Sequence, residues 1–296
     1  MNSFKFSGTI TALITPFKKN GRIDIRSYEK FIDWQIANGV DGIAPTASTG
    51  EAATMEPSDY ERVLKTAVKV TNRRVPVIAG ASHNNTEKAV ELSKIAKRAG
   101  ADGLLHTNPY YNKPTLSGLI AHFKAIANAV NLPLIIYNVP ARTGVNMSAE
   151  TTITIAKAIP AVVGIKEASA NMSQVTDIIK GTPANFAVLS GDDATTLPLI
   201  TLGGAGCISV VANEIPKEFS DMVHFALEGD FDRARKLHYE WLDLMNANFI
   251  ESNPIPVKTA LAAMGMIHEV FRLPLTPMTP KNKEALLEVL KKHKLI

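Results

Sequence analysis

Short apolar runs rich in β-branched residues alternate along the chain with longer segments of helical period. The runs predict strands at Thr9–Thr15, Gly42–Thr46, Pro76–Gly80, Gly103–Thr107, Leu134–Val139, Val162–Ala168, Ala187–Ser190 and Gly206–Val211. Between them, helices are expected at Asp24–Asn38, Pro57–Thr71, Asn85–Ala99, Leu116–Val130, Ala149–Ile159, Ser173–Lys180 and Ala194–Leu202. One long helical stretch, Lys217–Asn248, follows the last strand.

Strands that alternate with helices in this way are parallel and joined by right-handed crossovers. An internal echo supports the reading. Asn38-Gly39-Val40-Asp41-Gly42-Ile43 resembles Ala99-Gly100-Ala101-Asp102-Gly103-Leu104, a spacing that fits two βα units of roughly 30 residues each. The expected fold is an α/β (β/α)8 TIM barrel with a C-terminal helical extension. A doubly wound sheet is weaker, because no strand leads into a Gly-x-Gly-x-x-Gly turn. Residues 1–225 are expected to form the barrel with its active site. Residues 226–296, with Val257–Met266 and Lys281–Lys294 as further helices, are expected to pack on it without a flexible linker.

Composition narrows the classes. A hydrophobic share of 46% with 20% charged residues excludes a disordered chain. No uncharged apolar run reaches the roughly 18 residues of a membrane span, and the N-terminal sequence lacks a signal-peptide layout. The net charge of +4 is spread along helices, so neither nucleic acid nor membrane is expected as a partner. Cys207, the lone cysteine, lies in an apolar run and reads as a small hydrophobe. A reducing cytoplasm is the expected location.

In such a barrel the chemistry sits at the C-terminal strand ends. Lys166 is the most informative residue there. Alternation puts Val162, Gly164, Lys166 and Ala168 on one face of their strand, and Val163, Ile165 and Glu167 on the other. A free lysine is neutral in only about one molecule in 2,500 at pH 7, and an apolar pocket favours the neutral amine that attacks carbonyls. The competing reading is a buried lysine paired with a carboxylate from another strand. With hydroxyls from several strand ends converging, the nucleophile is favoured. Schiff-base chemistry needs a proton shuttle, and Tyr137 on the adjoining strand is the candidate. Arg142, in the loop beyond it, suits a carboxylate. Phosphate is disfavoured by Asp192-Asp193 after the seventh strand. Ser48-Thr49 and Tyr110-Tyr111 could equally be turn residues and an aromatic interface patch. The seven histidines are dispersed and Asp192-Asp193 lacks partners at ligand spacing, so no metal is expected.

Taken in order, six motifs resemble the dihydrodipicolinate synthase family of the pyruvate-dependent class I aldolase superfamily over nearly the whole chain. They are Ser48-Thr49-Gly50-Glu51, Asn108-Pro109-Tyr110-Tyr111-Asn112-Lys113-Pro114, Tyr137-Asn138-Val139-Pro140-Ala141-Arg142-Thr143-Gly144 and Gly164-Ile165-Lys166-Glu167-Ala168-Ser169, followed by Ser190-Gly191-Asp192-Asp193 and Asn253-Pro254-Ile255-Pro256-Val257-Lys258. The resemblance implies a pyruvate Schiff base on Lys166, an enamine, and attack on L-aspartate 4-semialdehyde in the diaminopimelate route to lysine. It makes Tyr137 the proton donor and acceptor, with Ser48 and Tyr111 as relays. It assigns pyruvate binding to Thr49, Gly191 and the Ile208 backbone, and the semialdehyde carboxylate to Arg142. No cofactor is implied, only the covalent Schiff base between Lys166 and the substrate pyruvate. A cytoplasmic homotetramer (a dimer of dimers) is, with Tyr111 supplied by a neighbouring subunit.

Two departures from the family pattern stand out. Ser48 replaces the usual first threonine of Thr-Thr-Gly-Glu, and sialic-acid lyases of the same superfamily also carry Ser-Thr-Gly-Glu. An N-acetylneuraminate lyase, a 2-keto-3-deoxy-gluconate aldolase and a non-catalytic pyruvate-binding barrel are therefore the alternatives. Arg142 and Gly191-Asp192-Asp193 follow the synthase pattern. Secondly, in lysine-inhibited members an interface pocket holds histidines and a glutamate. Here Pro57 and Tyr60 replace the histidines and Lys88 the glutamate, while Asn84 and Tyr110 remain. A cation at Lys88 opposes a cationic effector, so weak or absent lysine inhibition is expected.

Overall fold

Eight parallel strands close on themselves in a computed structural model that describes residues 6–296, so the first five residues of the expected barrel segment lie outside it. The strands are β1 (Gly8–Ala12), β2 (Gly42–Ala44), β3 (Ile78–Gly80), β4 (Gly103–Thr107), β5 (Leu134–Asn138), β6 (Val162–Glu167), β7 (Ala187–Ser190) and β8 (Gly206–Ser209). Their hydrogen-bonded order runs β2-β1-β8-β7-β6-β5-β4-β3. The remaining seam is bridged by Ile43 against Val77 and by the Gly80 amide donating to the Pro45 carbonyl at 2.9 Å. This is the TIM barrel expected from the alternation of elements.

The helices that follow the strands are α1 (Ile25–Ala37), α2 (Pro57–Thr71), α3 (Thr86–Ala99), α4 (Leu116–Val130), α5 (Pro140–Thr143), α6 (Ala149–Ala158), α7 (Met172–Gly181), α8 (Thr196–Thr201) and α9 (Pro216–Leu227). Beyond them, α10 (Phe231–Ala247), α11 (Ile255–Ala263) and α12 (Pro280–Lys292) form the helical extension. Local chemistry sets many of the starts. Asp24, Asn85, Thr115, Ser148 and Asn171 each accept a backbone N–H from the first turn of α1, α3, α4, α6 and α7.

Two apolar layers result. Ile10, Ala12, Ala44, Ile78, Leu105, Ile135, Leu189 and Ile208 fill the barrel interior. Leu104, Ile136 and Ile165, one residue out of phase, pack against the helices. Helices α9, α10 and α12 share a third cluster, which includes Phe219, Trp241, Leu244, Leu286 and Leu290.

Two expectations need correction. The stretch Lys217–Asn248 is two helices, because Gly229 adopts a left-handed φ of 85° and Asp230 caps α10 by accepting the Arg233 amide. Helical period continues across the break, so the pattern alone conceals it. Alternation along β6 is also interrupted. Leu134 pairs with Val162 but Ile135 with Gly164, leaving Val163 as an extra residue. Val162 therefore joins Ile165 in the outer layer, and Val163 packs against the interior. From Gly164 onward the expected faces hold.

Candidate active site

Lys166 stands on β6 opposite Tyr137 of β5 in the parallel register. Both side chains are buried, and the Lys166 Nζ lies 4.6 Å from the centroid of the Tyr137 ring. No acidic side chain lies within ion-pair distance of Lys166 among the described residues. The buried-pair alternative for this lysine thus has no support here. It is instead realised by another lysine. Lys258 of α11, fully buried, donates to Glu51 and lies 4.1 Å from the centroid of the Phe17 ring. Burial draws its pKa down despite Glu51.

Space around Lys166 is made by a glycine. A Cβ built on Gly191 would sit 2.6 Å from the Ala168 Cβ and 3.1 Å from the Lys166 Cε. The residue after β7 must therefore be side-chain-free for the lysine to occupy its pocket. Asp193, two residues on, is buried, and burial pushes its carboxyl up to about 6. Hydrogen bonds from Ser209 and the Val211 amide, and the nearby Lys166 charge, pull it back down.

Asp193 also shapes the last strand. Pairing of β8 with β1 runs to Ser209, whereas pairing with β7 stops at Cys207. Beyond that point the amides of Val210 and Val211 donate to the Asp193 carboxylate, at 3.2 and 2.8 Å. Ile208, whose side chain belongs to the interior cluster with Tyr137, follows the last β7-paired residue of β8. Cys207 is buried against Asp193, and burial raises its thiol pKa. A packing role suits it, and a thiolate nucleophile does not.

The rim is organised by a residue that the sequence places in a motif, Asn253-Pro254-Ile255-Pro256-Val257-Lys258, but to which it assigns no role. Asn253, ahead of α11, donates from Nδ2 to the Thr49 hydroxyl at 3.0 Å, and its carbonyl accepts from the Arg142 guanidinium at 2.9 Å. It links two expected substrate-binding residues that lie on opposite sides of the sheet seam. Arg142 itself is carried by the one-turn helix α5, and with the exposed Ser48 it lines a cavity of about 500 Å³ reaching outward between α2 and α3. Thr107, paired with Tyr137 across β4 and β5, adds a further hydroxyl to that wall. Strand alternation through Leu105 would have found it. Pro57, Tyr60, Lys88, Glu91 and Tyr110 line the outer part.

Of the expected site residues, Lys166, Tyr137, Gly191 and Ile208 meet at the carboxyl end of the barrel; Arg142 and Ser48 line the outer cavity, and the buried Thr49 is tied to Arg142 through Asn253. Tyr111 does not join them within one chain. It is 88% exposed, with a left-handed φ of 72°. Among the described residues, no group of three or more His, Cys, Asp and Glu side chains is arranged to hold a metal ion. The barrel thus offers a buried amine beside a phenol, with an arginine at the entrance: groups suited to covalent capture of a small oxo acid.

The chain matches the model of the dihydrodipicolinate synthetase family over residues 5–293. It is 51% identical to the 4-hydroxy-tetrahydrodipicolinate synthase of Maridesulfovibrio salexigens, covering 98% of this chain and 99% of that one. The crystal structure of dihydrodipicolinate synthase from Aquifex aeolicus superposes with a TM-score of 0.96 at 47% identity, covering 98% and 99% of the two chains. A monomeric dihydrodipicolinate synthase variant is equally similar in fold, with a TM-score of 0.96 at 41% identity and 98% coverage of each chain.

Proposed function

The chain belongs to the dihydrodipicolinate synthetase family, and from that premise we propose how its residues condense pyruvate with L-aspartate 4-semialdehyde. The activity is that of a lyase of the 4-hydroxy-tetrahydrodipicolinate synthase type. The observation that carries the assignment of roles is the buried Lys166 amine against Tyr137, with no carboxylate paired to it.

The Lys166 amine attacks the carbonyl carbon of pyruvate. Its proton passes to the oxygen, water leaves, and a cationic imine remains. The Tyr137 phenol gives and takes the protons of these steps from the same pocket. Loss of a methyl proton converts the imine to an enamine. The enamine carbon then bonds to the aldehyde carbon of the semialdehyde, whose oxygen gains a proton. Attack by the semialdehyde's own amine on the imine carbon closes the ring and frees Lys166. The reaction needs no cofactor, since pyruvate is itself a substrate whose carbons leave in the product.

Thr49, steadied by Asn253, and the Ile208 backbone hold the pyruvate carboxylate, and Gly191 leaves room for the adduct. Arg142 receives the semialdehyde carboxylate through its fork of N–H donors. Ser48 relays protons outward from Tyr137. The exposed Tyr111 completes the relay of a neighbouring subunit in a homotetramer, an assignment supported by the family resemblance and by its outward placement. The lone buried cysteine fits a reducing cytoplasm. No helix among the described residues is long and apolar enough to cross a membrane.

The serine that suggested a sialic-acid lyase is outweighed by full-length identity near 50% to enzymes named as synthases. A substrate panel tests this. The protein is expected to consume semialdehyde only when pyruvate is present, and to leave N-acetylneuraminate and 2-keto-3-deoxy-gluconate uncleaved. Efficient cleavage of either sugar acid would refute the synthase assignment.

A further inference from the structure

Behind the Lys166–Tyr137 pair, on the outer face of the same two strands, lies another buried carboxylate. Glu167 is 2% exposed and opposes Asn138 in the register, one residue beyond the catalytic pair. Unlike Glu51, it has no cation within ion-pair distance among the described residues. Its charge is met by neutral donors alone: the Asn138 amide at 3.1 and 3.0 Å, the Gln174 amide at 3.1 Å and the Ser169 backbone N–H at 2.7 Å.

The same donors are tied onward. Asn138 donates to the Asn146 side-chain oxygen Oδ1 at 2.8 Å, and its own side-chain oxygen accepts the Met147 backbone N–H at 2.9 Å. Gln174 and Asn146 exchange hydrogen bonds at 2.9 and 3.2 Å. The four side chains come from β5, β6, α7 and the segment leading to α6, so the network closes over both strand tips. It also anchors the far end of the chain segment that carries Arg142, because Asn138 precedes and Asn146 follows it. A carboxylate buried without a counter-charge is costly unless its acceptor positions are filled. That cost enforces the donor geometry.

We infer that Glu167 is a positioning residue for the reaction: it locks Tyr137 to Lys166 in register and fixes the loop that presents Arg142. The elements that hold pyruvate on the other side of the barrel, Thr49 and Ile208, are not part of its network. Loss of the lock therefore slows proton transfer and weakens semialdehyde binding, and spares pyruvate binding. The inference rests on the roles proposed above for Lys166, Tyr137 and Arg142.

The test is steady-state kinetics of Glu167→Gln in the full-length protein, with both substrates varied. The exchange keeps size but turns an acceptor toward the donors of Asn138 and Gln174 into a donor. The expected result is a kcat lowered about tenfold or more and a KM for semialdehyde raised several-fold, with the pyruvate KM within about twofold of wild type. A loss of active fraction alone lowers kcat without splitting the two KM values. An unchanged kcat and semialdehyde KM, or a pyruvate KM that rises in step with the other, would overturn the inference. If Glu167→Gln fails to fold, Gln174→Ala removes one donor and leaves the charge. It is expected to show the same split at about two- to fivefold, and wild-type constants would overturn the inference. Borohydride trapping of pyruvate on wild-type protein separates this outcome from failure of the mechanism: the adduct must appear at Lys166 whatever Glu167 does.

Discussion

Tyr137 and Lys166 face each other across adjacent parallel strands, with the amine 4.6 Å from the ring centroid and both side chains buried. Backbone register, rather than a flexible loop, sets their separation. A phenol held beside the amine by strand register suits proton transfer there. Tyr137→Phe keeps the ring and the packing but removes the hydroxyl. A fall in kcat of about 10²- to 10⁴-fold is expected, with thermal stability close to wild type. Retention of more than a tenth of the activity would remove Tyr137 from the proton path.

Gly191 gives the pocket its width. In Gly191→Ala the new methyl meets the Ala168 Cβ at 2.6 Å, a separation that real side chains do not show, and crowds the Lys166 Cε at 3.1 Å. Ala168 must move and the lysine is pressed from its place, and a misplacement of this kind lowers kcat/KM for pyruvate by about tenfold or more. Time-resolved borohydride trapping reads the change directly as slower adduct formation. An unchanged trapping rate would show that the pocket has slack.

The Glu51–Lys258 pair holds the segment that carries Ser48 and Thr49. Glu51 sits in the left-handed region and also accepts the Arg272 backbone N–H at 3.2 Å. Glu51→Gln leaves a buried ammonium without its counter-charge, so a loss of about 3–5 kcal/mol in unfolding free energy is expected. Denaturant titration checks it. A loss below about 1 kcal/mol would mean that the pair is replaceable.

Acid stability follows from two buried histidines, His106 on β4 and His122 on α4. Burial holds His106 down to about 3 and His122 down to about 4, so both are neutral in the folded protein near pH 7. As pH falls through the ordinary histidine range near 6.5, the unfolded chain gains protons that the folded chain refuses, and stability drops. Asp193, pushed up to about 6, acts oppositely between about 6 and 3.8, where only the folded state keeps its proton. His122→Gln isolates one contribution. Between pH 6.5 and 4.5 the wild type is expected to lose stability relative to the variant by up to about 1.4 kcal/mol per pH unit. Parallel stability curves over that window would contradict the assignment.

Feedback by L-lysine is expected to be weak. Lys88 projects into the cavity beside Tyr60, whose hydroxyl already donates to the Gly80 carbonyl at 2.9 Å, and Glu91 is the one carboxylate on that wall among the described residues. A cationic amino acid meets a cation there and finds one acid to offset it. Initial rates with millimolar L-lysine should stay within about twofold of the uninhibited rate. Strong inhibition at micromolar lysine would refute the reading.

Much of this was legible in the sequence because the fold is repetitive. Each βα unit carries its own hydrophobic period and cap, so β4, β7, α2 and α4 fall at their expected bounds. Lys166 and Tyr137 stood out because polar groups near the ends of apolar strands are costly without a purpose. What stayed hidden depends on contacts across the chain. Asn253 reaches Thr49 from 204 residues away. The bulge at Val163 arises from pairing with β5, which the β6 sequence does not encode. Glu167 reads in the sequence only as the reverse face of Lys166, because its three donors, the Asn138 and Gln174 amides and the Ser169 N–H, come together only in the fold.

The most direct measurement of the central claim is the site of pyruvate attachment. Protein incubated with pyruvate and reduced with borohydride is expected to gain one reduced pyruvyl group per chain, located by peptide mass at Lys166. Lys166→Ala should gain none. Wild-type protein without an adduct, or an adduct at Lys258 instead, would contradict the account.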